Sequence, residues 1–189
     1  LAALRERSQV LPVPILAPSK SPQPKGIKSA APQRIVWNHR WEYDKNPDDF
    51  FAVLFALSDA GVSFELAVLG QRFRQAPAIF TEAEQRLATH IVAWGPQPED
   101  AYRDLLDSAD IVVSTTWHEF QGLAIMEAAQ RGALPLVPNR LCFPALYPPE
   151  YRYDGTRDGL YACLQAWLTA PTARPVPYPH PTPPTHHPA

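Results

Sequence analysis

The chain has 189 residues, 46% hydrophobic and 19% charged, with 23 prolines and a formal net charge of -2. This suffices for one modest core. No apolar run approaches the 18 or so residues of a membrane-spanning helix, and the opening thirty residues do not have the layout of a secretory signal.

The prolines are segregated. Six lie in residues 1–32 and eight in 171–189, leaving nine in 33–170. The expected organisation is therefore a basic, proline-rich, disordered linker (1–32), a globular domain (33–170) and a second proline-rich tail (171–189), disordered or in polyproline II. Within the domain, residues 34–38 (RIVWN) read as a strand. Asn46 and Pro47 follow as N-cap and first position of a helix that runs to a stop at Gly61. Residues 64–69 form a second strand ending at Gly70. A helix over 81–89 precedes a third strand, 91–94, closed by Gly95 and Pro96. A helix over 98–108 carries Tyr102, Leu105, Leu106 and Ala109 at helical spacing. Residues 110–115 give a fourth strand, 122–131 a helix and 134–137 a fifth strand. An amphipathic helix over 157–169 ends the domain.

Strand and helix alternate five times, and the strands are short and apolar throughout. This predicts an α/β fold, a Rossmann-like parallel sheet with helices on both faces. Such folds bind ligands beyond the carboxyl ends of their strands, which directs attention to loops 38–46, 70–77, 94–97, 115–122 and 138–144.

Charge narrows the classes further. The linker carries +4 and the domain -7, with ten of the domain's eleven basic residues arginine and the other Lys45. An acidic domain is a poor partner for a nucleic-acid backbone. Cys142 and Cys163 lack metal-ligand spacing and read as reduced, buried thiols of a cytoplasmic protein. His180, His186 and His187 lie in the proline tail and do not suggest a metal site. Trp37, Trp41 and Trp117 stand at strand ends, as core or pocket wall.

Two loops carry chemistry. The first, residues 38–46, presents Arg40 and Lys45 just before a helix N-terminus, a combination suited to a diphosphate. In the competing reading Glu42 and Asp44 simply neutralise the two cations. The second, residues 114–128 (STTWHEFQGLAIMEA), places Gly122 where a helix begins, so the amides of Gly122 and Leu123 can face an anion. Glu119 sits at the ligand edge. Glu127 lies on an otherwise apolar helix, where a carboxylate needs a partner: the hydroxyls of a ribose, or Arg131 four residues on. His39 and His118 occupy the same loops and suit either a hydrogen-bonding or a structural role.

Glu119 and Glu127 enclose seven residues, the E-x7-E arrangement of family 4 retaining glycosyltransferases of the GT-B fold. The strings IVWNHRWEYDKNP, STTWHEFQGLAIMEA and LPLVPNRLCFP, in that order, resemble more specifically the tRNA-queuosine α-mannosyltransferases, over about residues 33–153. The resemblance implies the C-terminal, donor-binding half of a GT-B enzyme. It implies that Arg40 and Lys45 neutralise the donor diphosphate, that Glu119 touches the donor sugar, and that His118, Phe120, Gln121, Gly122 and Leu123 line sugar and phosphate. Glu127 would hold the ribose, Trp94 and Gly95 would flank the base, and Gly70 would let the second strand approach the nucleotide. The implied donor is GDP-mannose and the implied acceptor is tRNA, reached through an N-terminal domain that this chain, opening on Leu1 with its sole methionine at Met126, is expected to lack. No metal or other cofactor and no membrane contact are expected, and the isolated chain should transfer little. Two other readings stay open: a family 4 enzyme acting on a lipid or polysaccharide, and a non-catalytic Rossmann-like interaction module.

Overall fold

The computed structural model describes residues 7, 15, 31–72, 76–170, 172 and 174–176. The expectations for the proline-rich segments, including the three tail histidines, fall largely outside these residues. Six strands form one parallel sheet: β1 (Gln33–Trp37), β2 (Phe64–Val68), β3 (Ile91–Trp94), β4 (Ile111–Val113), β5 (Leu134–Pro138) and β6 (Arg152–Tyr153), in the order β3-β2-β1-β4-β5-β6. β4 is buried along its whole length and β5 likewise, which is why these segments read as continuous apolar runs rather than alternating ones.

Helices α1 (Pro47–Asp59), α2 (Ile79–Arg86), α3 (Glu99–Ser108), α4 (Leu123–Gln130), α5 (Phe143–Leu146) and α6 (Arg157–Thr169) cover the sheet. α1 packs against α2 and α6. α3 and α4 meet through Arg131–Asp107 and Tyr102–Glu127. Right-handed crossovers put the helices that follow β1 and β4 on opposite faces, so the core is divided between both sides of the sheet. The α1 face is aromatic: Trp41 stacks on Phe80 at 4.2 Å, and Trp37, Phe50, Phe51 and Trp94 complete the cluster. Trp37 and Trp41 are thus core residues, whereas Trp117 is half exposed beneath the guanidinium of Arg140, 4.0 Å away.

Strand order reverses between β1 and β4, and in doubly wound sheets that crevice is the binding position. Several sequence expectations need correction. β6 was not foreseen, since a two-residue strand carries no periodicity, and α5 is one turn too short to announce itself. The helix expected over 81–89 begins at Ile79 and ends at Arg86, and the strand expected over 110–115 is confined to 111–113. Asn46 precedes α1 as expected but does not cap it in the usual way. It is left-handed (φ 51°), and its Nδ2 donates to Asp49 at 2.8 Å instead of its side chain accepting a helix amide. The two cysteines are free and half-buried rather than buried. The packed chain also reaches past residue 170: Arg174 donates to the Trp167 carbonyl and to Gln33 Oε1, each at 2.7 Å.

Candidate functional site at the β1/β4 edge

Hydroxyls at the end of β4 clamp the two loops together. Thr115 Oγ1 lies 2.9 Å from the carbonyls of Lys45 and Asn46, and Thr116 Oγ1 lies 3.0 Å from that of Asp44. The Trp117 amide donates to the Asp44 carbonyl at 2.7 Å. A 3-10 turn, Tyr43–Lys45, followed by left-handed Asn46 then folds the Lys45 side chain inward. Only a short polar residue such as Asn readily takes that backbone conformation without glycine.

Lys45 is therefore buried, 7% exposed, and its Nζ donates to the His118 carbonyl at 2.8 Å. Asp44 Oδ2 and Glu119 Oε2 lie 3.2 and 3.4 Å from it. Arg40, by contrast, is exposed and turned onto Glu42 at 2.9 Å. Each of the two cations is thus held by acidic neighbours, and for the buried Lys45 this matters most, because a buried cation left unpaired is costly.

Glu119 accounts for the loop amides. Its Oε1 accepts from the backbone N–H groups of Phe120, Gln121 and Gly122 at 3.1, 3.3 and 3.0 Å. The anion that these amides face is thus the chain's own carboxylate. Burial pushes the Glu119 carboxyl up, but the Gly122 amide and the Lys45 charge outweigh it and hold it below the ordinary carboxylate value. Gly122 is left-handed, and a Cβ there would lie 3.1 Å from the Phe143 ring, so glycine suits the turn into α4 on both counts. His118 contributes its carbonyl while its ring is exposed; Phe120 is 93% exposed and Leu123 40%, with Gln121 half-buried between them.

Glu127 does not pair with Arg131, which is engaged by Asp107 at 2.7 Å. Its Oε2 accepts instead from the hydroxyl of Tyr102 at 3.0 Å. At Gly70 a Cβ would stand 2.0 Å from the His39 carbonyl oxygen, so its bareness accommodates the loop after β1. The Trp94 ring is largely engaged, edge-on to Trp41 at 5.3 Å, and the Gly95 amide donates to the Val68 carbonyl at 2.8 Å.

Four residues escaped the sequence reading. Thr115 and Thr116 lie where strand gives way to loop, and the sequence assigns their hydroxyls no role. Tyr102 read as part of an apolar helix face. Arg140, in the loop after β5, reaches the carbonyls of Thr115, Thr116 and Gly155 at 2.9–3.2 Å and braces the same edge; a lone arginine in a loop carries no pattern. His39 proves to be buried, 3% exposed and edge-on to Trp37, with no hydrogen-bond partner for its Nε2. Burial, then the Lys45 charge, push it down to about 4, so it is neutral at pH 7. Among the described residues no three His, Cys, Asp or Glu side chains gather as a metal site, and no helix is long and apolar enough to cross a membrane.

Comparison with known proteins gives this geometry its context. Over 120 residues the chain is 37% identical to a Drosophila melanogaster protein named tRNA-queuosine alpha-mannosyltransferase. The resemblance to that family holds. The match takes in 64% of this chain but 32% of the fly protein, so the chain spans about a third of its relative's length. No family model matches. Among solved structures, the C-terminal domain of a group 1 family glycosyl transferase from Francisella tularensis superposes with a TM-score of 0.63 at 16% identity, covering 75% of this chain and 78% of that one. The catalytic domain of cholesterol-alpha-glucosyltransferase from Helicobacter pylori gives 0.61 at 16% identity, covering 75% and 89%. At that identity the likeness shows the fold, a Rossmann-like domain of the GT-B glycosyltransferase type.

Proposed function

We propose that the chain is the donor-binding domain of a retaining glycosyltransferase, taking GDP-mannose and serving an enzyme that mannosylates queuosine in tRNA. The observation that carries this reading is the meeting of Lys45 and Glu119, 3.4 Å apart, in the β1/β4 crevice. The 37% identity to a tRNA-queuosine alpha-mannosyltransferase supports the choice of donor and acceptor. A tRNA acceptor fits a cytoplasmic protein and needs no membrane contact.

In this reading Lys45, with Arg40 swinging from Glu42, meets the donor diphosphate. As the glycosidic bond breaks, its electron pair leaves with the nucleoside diphosphate, and the buried ammonium stabilises the charge that develops there. The buried position matters, because a cation in a site with little water acts more strongly than one in bulk solvent. The reading calls on this charge and on no metal or other cofactor. Glu119 turns from its own loop amides to the sugar hydroxyls, leaving the amides of Phe120 to Leu123 to sugar and phosphate. Glu127 accepts from the ribose, and Trp94 and Gly95 border the base. The acceptor oxygen bonds to the anomeric carbon on the face the leaving group vacates, which keeps the sugar configuration, and the acceptor's proton passes to the departing diphosphate.

The test is isothermal calorimetry of the 189-residue chain with GDP, GDP-mannose and UDP, followed by a transfer assay with queuosine-containing tRNA. The reading expects guanine nucleotides to bind more tightly than UDP and little transfer by this chain alone. Absence of any nucleotide binding would return the chain to a non-catalytic module. Preference for UDP would favour a family 4 enzyme with a lipid or polysaccharide acceptor.

A further inference from the structure

The carboxylate assigned to the ribose is not free to rotate, and the reason lies on a different helix. Tyr102 on α3 donates its hydroxyl proton to Glu127 Oε2 on α4 at 3.0 Å. Asn38, immediately after β1, directs its Nδ2 to the Tyr102 oxygen at 3.2 Å and to the Ala124 carbonyl at 2.8 Å. The Ala124 carbonyl can only accept, so it fixes which end of the Asn38 amide faces it. With the amide nitrogen turned that way, the Tyr102 oxygen accepts a hydrogen bond from Asn38 and its own O–H donates to Glu127. Burial pushes the phenol up to about 12, so it keeps that proton throughout the neutral range.

The chain of donors runs one way, from amide to phenol to carboxylate. It ties the end of β1 to α3 and α4 beside the crevice where the strand order reverses. Glu127 spends Oε2 on this contact, and among the described residues no hydrogen bond reaches its Oε1. One carboxylate oxygen is thus anchored and the other remains an acceptor. A glutamate on a helix has three rotatable side-chain bonds, and fixing one oxygen removes most of that freedom before any ligand arrives.

Resting on the donor-binding reading above, we propose that Tyr102, its hydroxyl oriented by Asn38, is a positioning residue that holds Glu127 so that Oε1 accepts from a ribose hydroxyl of the bound nucleotide. Tyr102 itself need not touch the nucleotide. It sets how strongly the site distinguishes a ribose from a sugar lacking both hydroxyls. A role confined to packing α3 against α4 would not alter that distinction, since the phenylalanine ring fills the same space.

The experiment compares GDP with 2′,3′-dideoxy-GDP by calorimetry on the 189-residue chain, its Tyr102→Phe and Glu127→Gln variants, and the double variant. Wild type is expected to favour GDP about tenfold or more, roughly what one hydrogen bond to a charged group supplies. Tyr102→Phe should reduce that preference to about threefold or less while leaving the affinity for the dideoxy nucleotide unchanged. In the double variant Tyr102→Phe should add nothing to the loss caused by Glu127→Gln. Full ribose preference in Tyr102→Phe would overturn the proposal while leaving the donor-binding reading intact, and so would equal weakening toward both nucleotides. Failure of wild type to bind either nucleotide would overturn that reading and this inference with it. Asn38→Leu, which removes the orienting amide, gives the same comparison if Tyr102→Phe does not fold.

Discussion

Acid should weaken this fold earlier than its carboxylates require, because of His39. The imidazole is 3% exposed and its ordinary value near 6.5 is lowered to about 4, chiefly by burial and then by the Lys45 charge. Between these values the unfolded chain takes up a proton on His39 and the folded chain does not. Stability therefore falls as pH drops from about 6.5 to about 4, and for this residue it is level outside that window. A gap of roughly 2.5 units at 1.36 kcal/mol per unit gives a loss of about 3 kcal/mol. That is a sizeable part of the 5–15 kcal/mol or so that stabilises a typical domain. Urea denaturation at pH 7 and at pH 4.5 measures it, with His39→Gln as the non-titrating reference, since the other histidines and the acidic groups are common to both proteins. Wild type should lose about 2–3 kcal/mol more than His39→Gln across that interval. Equal losses would refute the reasoning and mean that His39 takes up its proton in the folded protein at the same pH as in the unfolded chain.

Two further outcomes follow from the same edge of the sheet. Gly70→Ala should cost about 3 kcal/mol or more and lower Tm by roughly 6–12 °C in a thermal melt, because the added Cβ would stand 2.0 Å from the His39 carbonyl oxygen at a φ of 118°. For Glu119, held below its ordinary value by the Gly122 amide and Lys45 against the opposing effect of burial, stability is fully present above about pH 4.5 and is lost as pH falls through the lowered value. Melts of Glu119→Gln between pH 5 and pH 3 should accordingly decline less steeply than those of wild type, and parallel curves would count against the amide contacts.

The fold was legible because its signals are local. Apolar runs such as IVV at 111–113 and helix stops such as Gly61 mark a parallel α/β sheet without knowledge of which strand lies beside which. The site was legible in part. Lys45 stood out as the domain's single lysine, and Glu119 and Glu127 by their spacing, and the fold gathers these segments at one edge. The partners of these residues were not legible. That Lys45 would be buried against Glu119 and that Glu127 would answer to Tyr102 rather than Arg131 depend on contacts 74 and 25 residues apart, and that Glu119 would cover its own loop amides depends on a tight turn that no periodicity announces. Tyr102 illustrates the limit: at helical spacing its ring reads as core, and only the tertiary structure shows where the hydroxyl goes. Gly70 illustrates another, since a sequence reveals that a glycine is present but not which neighbour requires it.

The central claim is that the β1/β4 crevice holds a sugar nucleotide through Lys45. Titrating GDP-mannose into the 189-residue chain and into Lys45→Met, with Tm recorded for both, tests it most directly. A charge-assisted hydrogen bond is worth about 1.5–3 kcal/mol, so Kd should rise by a factor of roughly 10 to 150 in the variant, provided that its Tm confirms a folded protein. GDP-mannose bound equally well by folded Lys45→Met, or not bound by wild type at all, would contradict the account.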